Sequence, residues 1–203
     1  AEVMRHYVEM ADTYYRLMAD PDKAVEVYQE ALAYSREAGV EPALIIPVLR
    51  GLADIESQRL NWRRALQYYE RITELVPEDE GAALMVVDLH YQLGEAREAV
   101  WALDETIRLC IKAGKMRRVT EILEDQVQRR PQEIPLRQRL AEVYRQQGRT
   151  QDAITQFDAL GELQLDAGQV DEAIATIQRI VDMNPPDIEG YRKLLAQLKS
   201  GSY

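Results

Sequence analysis

Two histidines, His6 and His90, and one cysteine, Cys110, are the residues of this sequence closest to nucleophilic or metal chemistry. Neither histidine has a cysteine or a second histidine at metal-ligand spacing, so no zinc-type site assembles from them. Cys110 lies in the apolar run Ile107, Cys110, Ile111, which predicts a packed thiol rather than an activated nucleophile, and a lone cysteine forms no intrachain disulfide. The acidic run Glu78-Asp79-Glu80 lacks the alternating spacing of a calcium loop and falls where a helix begins, a place that favours negative charge. Gly94, Gly114, Gly148 and Gly168 each close an apolar-periodic run and do not cluster into a phosphate-binding loop. The reading is of no catalytic, cofactor or metal site, and of no enzyme.

The elements that would position a binding surface are easier to read. The 203 residues suffice for one substantial core, and apolar residues recur at three- and four-residue spacing almost throughout. With eight Pro, ten Gly and almost no β-branched alternation, an all-α chain of about eleven helices follows. The first is expected over about Glu2–Met18 and the second over about Pro21–Ala38. The next three span about Pro42–Arg59, Trp62–Val76 and Asp79–Leu93, and a sixth about Ala96–Ala113. A net charge of −10 argues against non-specific nucleic-acid binding and against an anionic membrane surface. The longest apolar stretch, near Ala43–Leu49, is too short to span a bilayer and contains Pro47. With no secretory signal and one cysteine, a cytoplasmic location is expected. The opening at Ala1 and the ending Gly201-Ser202-Tyr203 suggest a piece of something longer.

The stretch Leu49–Pro77 gives the pattern its clearest form: Leu49, Leu52-Ala53, Glu56, Ala65, Tyr69, Pro77. Small Ala53 and Ala65 let two antiparallel helices approach closely, Leu49, Leu52 and Tyr69 fill the layer between them, and Pro77 closes the second helix. Tyr7, Met10-Ala11, Tyr14, Ala24 and Tyr28 repeat it upstream with one extra residue near Asp20-Pro21, and Val86-Val87, Ala99 and Leu103 repeat it downstream. This spacing resembles the tetratricopeptide repeat family over essentially the whole chain. The resemblance implies a right-handed superhelical solenoid whose first helices line a concave groove. It further implies a non-enzymatic scaffold that binds a peptide or protein segment there.

Ala65, Val119 and Ala173 recur at one constant interval, and the same interval separates Pro77, Pro131 and Pro185. The expected organisation is therefore a single solenoid domain over 1–203: an N-terminal helix pair, 1–41, followed by three-helix blocks 42–95, 96–149 and 150–203.

By the resemblance, groove-facing positions fall on Val8, Asp12 and Tyr15, on Arg50, Asp54 and Ser57, and on Leu84, Asp88 and Tyr91. Family members that clamp a peptide's terminal carboxylate have Asn where this chain has Asp12, Asp54 and Asp88. The acidic ladder predicts a neutral or basic ligand segment with an apolar anchor, although Asp54 also stands four residues after Arg50 and could pair with it. Tyr15 and Tyr91 read either as contact residues or as half-buried packing between repeats. Residues 115–149 carry nine basic and five acidic side chains, either a docking band for an acidic partner or another copy of the chain, or a solvated face. The partner is thus a protein or peptide, and a homo-oligomer is compatible with the charges. The alternative function is a regulatory, sensory or self-association module of a larger protein. The helix after Val27 and its Gly39-Val40-Glu41-Pro42 exit resemble helical domains of bacterial transcriptional activators, which would suit that alternative.

Overall fold

The computed structural model describes residues 1–201; Ser202 and Tyr203, the end of the expected 150–203 block, lie outside the described residues. Eleven α-helices follow one another, with no strand among the described residues. They are α1 (Glu2–Asp12), α2 (Pro21–Glu37), α3 (Ile46–Gln58), α4 (Trp62–Leu75), α5 (Glu80–Gln92), α6 (Ala96–Lys112), α7 (Met116–Arg129), α8 (Ile134–Gln146), α9 (Thr150–Asp166), α10 (Val170–Asp182) and α11 (Ile188–Ser200). The fold is all-α and of the tetratricopeptide solenoid type. No helix among the described residues is long and apolar enough to cross a membrane.

Local chemistry explains the boundaries. Asp20, Asp79 and Asp187 cap α2, α5 and α11, their carboxylates accepting the backbone N–H of Lys23, Ala82 and Gly190. Six helices end alike: the N–H of Val40, Asn61, Glu95, Lys115, Arg149 and Gln169 reaches back to the carbonyl five residues earlier. Such an ending needs a left-handed residue just before the donor. Five of the six use glycine there, and Leu60, φ +62, is the exception.

One boundary departs from expectation. The first helix does not run unbroken to Met18 but widens at Thr13–Leu17 into a π-turn, with Met18 N–H bonded to Thr13 O at 3.1 Å. The extra residue placed near Asp20-Pro21 is absorbed here, one turn earlier, because a π-turn takes one more residue without breaking the backbone ladder. The third helix likewise starts late: Pro42–Leu44 is a 3-10 turn, and Pro47 falls in the first turn of α3, where a missing N–H costs nothing.

The chain divides into two compact units, residues 1–109 and 110–203. In the first, consecutive helices α1 to α5 pack in series, α1 to α3 enclosing Met4, Ala11, Ala24, Val27, Tyr28, Ala31, Val48, Leu52 and Ile55. Ala53 and Ala65 are fully buried and Leu49, Leu52 and Tyr69 lie between them in the core, as their types require. Tyr28 crosses α3 directly over Gly51: a Cβ there would fall 2.3 Å from the ring's Cζ. In the second unit α7 to α11 pack in series over Val119, Leu123, Leu136, Phe157, Leu160 and Ile180. Its core admits a buried polar pair, Thr176 Oγ1 donating to Gln164 Oε1 at 2.7 Å. Helix starts follow the interval seen in the sequence: Trp62, Met116 and Val170; Glu80, Ile134 and Ile188; Ala96 and Thr150.

Candidate protein-binding surface

Successive groove positions lie one turn apart on α1 and α3, so they share a helix face. On α1 that face carries Arg5, Val8, Asp12 and, inside the π-turn, Tyr15. On α3 it carries Pro47, Arg50, Asp54 and Ser57. At its upper end an open apolar cavity of about 570 Å³ is lined by Met4, Arg5, Val8, Ala43, Leu44 and Pro47, with Ala1 and Glu2 at the rim.

The carboxylates one and two turns below are not bare. Asp12 accepts a hydrogen bond from the Tyr28 hydroxyl at 2.9 Å, and Asp54 accepts one from Tyr69. Burial, reinforced by these bonds, raises both phenols well above the ordinary tyrosine range, and Asp54 adds to the field at Tyr28. In the third repeat Leu103 takes the place of the tyrosine, so the same bond cannot form to Asp88, which lies half-buried on α5 beside Leu84. The pairing of Asp54 with Arg50 does not occur. Arg50 instead reaches Asp79, the cap of α5, at 2.6 Å, because the cap holds its carboxylate at a fixed point beside α3. Tyr15, Ser57 and Tyr91 are half-buried, and the hydroxyls of Tyr15 and Ser57 are enclosed with no hydrogen-bond partner among the described residues.

The second unit repeats the phenol-to-carboxylate contact without the same spacing. Tyr144 donates to Glu124 at 2.6 Å and Tyr191 to Asp158 at 2.8 Å, and burial followed by these bonds pushes each phenol up to about 12. Several arginines of the basic band of 115–149 are held by nearby acceptors. Arg129 pairs with Asp125, Arg145 with Glu142, and Arg149 with Asp152 while its guanidinium lies 4.1 Å over the Tyr144 ring. Arg137 bonds Gln156 Oε1 and the Pro131 carbonyl, and burial lowers its pKa. Outside these surfaces, Cys110 is buried and His90 is packed, its Nδ1 2.9 Å from Glu95, which also pairs with Arg63.

Sequence reasoning missed two features. The cavity draws on Met4, Leu44 and Pro47, whose part in it depends on how α1 meets the start of α3. The tyrosine partners of the aspartates did leave a signal, an Asp on one helix answered by a Tyr at a near-constant distance on the next. It is present at 12/28 and 54/69 and broken at 88/103.

Two models of the tetratricopeptide repeat match, one over residues 2–78 and one over 50–113. No curated protein matches the sequence. Among solved structures, MamA protein is similar at 17% identity, covering 83% of this chain and 95% of that one, with a TM-score of 0.47. TTC0263, a thermophilic TPR protein in Thermus thermophilus, is similar at 20% identity over 97% of this chain and 99% of that one, TM-score 0.33. A Podosopora anserina putative kinesin light chain with nearly identical TPR-like repeats is similar at 15% identity over 98% and 92%, TM-score 0.45. With the helix pairs, the buried Ala53 and Ala65 contact and the matched residues in hand, the chain belongs to the tetratricopeptide repeat family.

Proposed function

We propose that the protein is a non-enzymatic scaffold whose first unit holds an extended protein segment along the shared face of α1 and α3. The observation that carries this reading is the cavity lined by Met4, Val8, Leu44 and Pro47 directly above Asp12 and Asp54. Mostly apolar walls with a few placed polar groups are what a peptide side-chain pocket needs. Val8 and Asp12 are one helical turn apart, a rise of about 6 Å. An extended strand advances about 3.3 Å per residue, so the matching segment places Lys or Arg two residues from its apolar anchor. Each aspartate gives one oxygen to a tyrosine and keeps the other for such a cation. The half-buried rings of Tyr15 and Tyr91 would supply rigid contact area beyond the carboxylates, with Ser57 beside Asp54 on the same face. The charge would act mainly on association rate, since exposed charges are screened within about 8 Å at physiological salt.

The test is selection of random peptides displayed on phage against the immobilised chain, followed by titration of the enriched sequences. The expected winners carry an apolar residue with Lys or Arg two positions away. They lose about tenfold or more in affinity toward Val8→Glu, the cost of one desolvated charge in an apolar pocket. Enriched peptides that bind Val8→Glu and Asp12→Asn/Asp54→Asn as well as the parent would place the binding surface elsewhere.

A further inference from the structure

We infer that the chain associates with a second copy of itself head to tail, the basic turn between α6 and α7 of one copy docking on the acidic turn between α4 and α5 of another. This goes beyond the groove reading, and none of its test variants touches a groove residue.

The charge of the chain is unevenly divided. Residues 1–109 hold 11 basic and 21 acidic side chains, a net of −10, while residues 110–203 hold 14 of each. Within the neutral second unit, Lys112, Lys115, Arg117 and Arg118 crowd into one turn. Glu121 pairs with both arginines, at 2.9 and 3.1 Å. Lys112 and Lys115 have no ion-pair partner among the described residues. Ile111 and Met116, 51% and 37% exposed, stand among these cations.

Folding does not ask for this arrangement. Arg117 and Arg118 lie in the first turn of α7, which holds no acidic residue and whose dipole disfavours cations. At the equivalent place in α10, one interval further on, the chain has Asp171 and Glu172. Glu121 offsets this cost for the two arginines, whereas Lys112 and Lys115 keep their charge for a contact elsewhere.

The complementary surface is in the first unit. Glu70, Glu74, Glu78, Asp79 and Glu80 surround the turn from α4 to α5, against Arg71, which pairs with Glu74, and Arg50, which pairs with Asp79. The net charges are −3 on this turn and +3 on the other. Exposed Pro77 and half-buried Leu75 and Val76 lie at its centre, an apolar middle to set against Ile111 and Met116. Because the two turns differ, the contact is heterologous: a pair of copies keeps one free basic turn and one free acidic turn, one on each copy, so assembly continues until a ring closes. An anionic membrane is a poorer occupant, since the whole chain carries −10 and would be repelled.

The same charges give the association a distinctive salt dependence. At about 0.01 M salt the screening length is about 30 Å and whole-chain repulsion dominates; at about 0.15 M it is about 8 Å and contact pairs survive; at about 1 M it is about 3 Å and they weaken. Association should peak at intermediate salt. The experiment is sedimentation velocity of the whole chain across that range, with Lys115→Glu/Arg117→Glu and Glu74→Lys/Glu78→Lys as variants. All four sites are exposed, and the surface pairs that the changes remove, Arg71–Glu74 and Arg117–Glu121, contribute only about 0–1 kcal/mol each, so folding is retained. The parent should show at least twice its 23.3 kDa monomer mass near 0.15 M salt. Each variant alone should stay monomeric, and an equimolar mixture of the two should regain association. A parent that is monomeric at every salt concentration overturns the inference, as do variants that associate like the parent or a mixture that stays monomeric.

Discussion

Substituting Gly51 with alanine puts the packing of the first unit to its sharpest test. In an exposed helix, Gly→Ala stabilises by about 1 kcal/mol. Here the new Cβ would lie 2.3 Å from Cζ, 2.4 Å from Oη and 2.7 Å from Cε2 of Tyr28, a ring that is 1% exposed and has no room to retreat. Overpacking of this kind costs about 1–3 kcal/mol. Moving the ring also breaks the bond from Tyr28 to Asp12, a bond to a charged group worth about 1.5–3 kcal/mol. Set against the propensity gain, the net is a loss of about 1.5–5 kcal/mol. The assay is urea unfolding followed by circular dichroism, in the parent and in a Tyr28→Leu background. Without the ring, Gly51→Ala should change sign and stabilise by up to about 1 kcal/mol. Equal destabilisation in both backgrounds would refute the claim that the Tyr28 ring is what requires glycine at this position.

Further predictions concern the turns, the helix contact and the titrating groups. Ala53→Leu or Ala65→Leu should each destabilise by about 1–3 kcal/mol in denaturant melts, since both alanines are fully buried at the α3–α4 contact. Leu60→Gly should hold or raise stability by up to about 1 kcal/mol, relieving a left-handed residue whose side chain is 67% exposed, whereas Gly114→Ala should lower it by about 1 kcal/mol. In an absorbance titration at alkaline pH, Tyr144 and Tyr191 should ionise near 12 and Tyr28 and Tyr69 later still. Folded-state pKa values raised above the unfolded ones mean that this stability is intact below about pH 10 and lost as pH climbs through the folded values. Loss of folding should therefore accompany those transitions. Glu95 behaves oppositely: Arg63 first, then His90, lowers its pKa, so its contribution is present above the unfolded value near 4.5 and disappears as pH falls through the folded one. Glu95→Gln should flatten the acid limb of the stability profile, and an unchanged limb would count against that pairing.

The sequence by itself determined the helices and their stops. Helix ends answer to side chains within four or five residues of the chain, so Gly94, Gly114, Gly148 and Gly168 announced left-handed turns and all four adopt them. Ala53, Ala65 and Leu52 announced a close helix contact for the same reason: the three- and four-residue spacing fixes which face they share. What lies across from that face is set by how helices cross, which no spacing encodes. The four tyrosines that grip carboxylates find them 16, 15, 20 and 33 residues away. Arg50 ignores Asp54 on its own helix for Asp79, held in place by its cap 29 residues on. The cavity beside Val8 exists because the 3-10 turn at Pro42–Leu44 meets α1, and the basic turn before α7 stands out because its lysines, Lys112 and Lys115, have no ion-pair partner among the described residues. Local preference chose the elements; only their packing decided which polar groups meet and which remain for a partner.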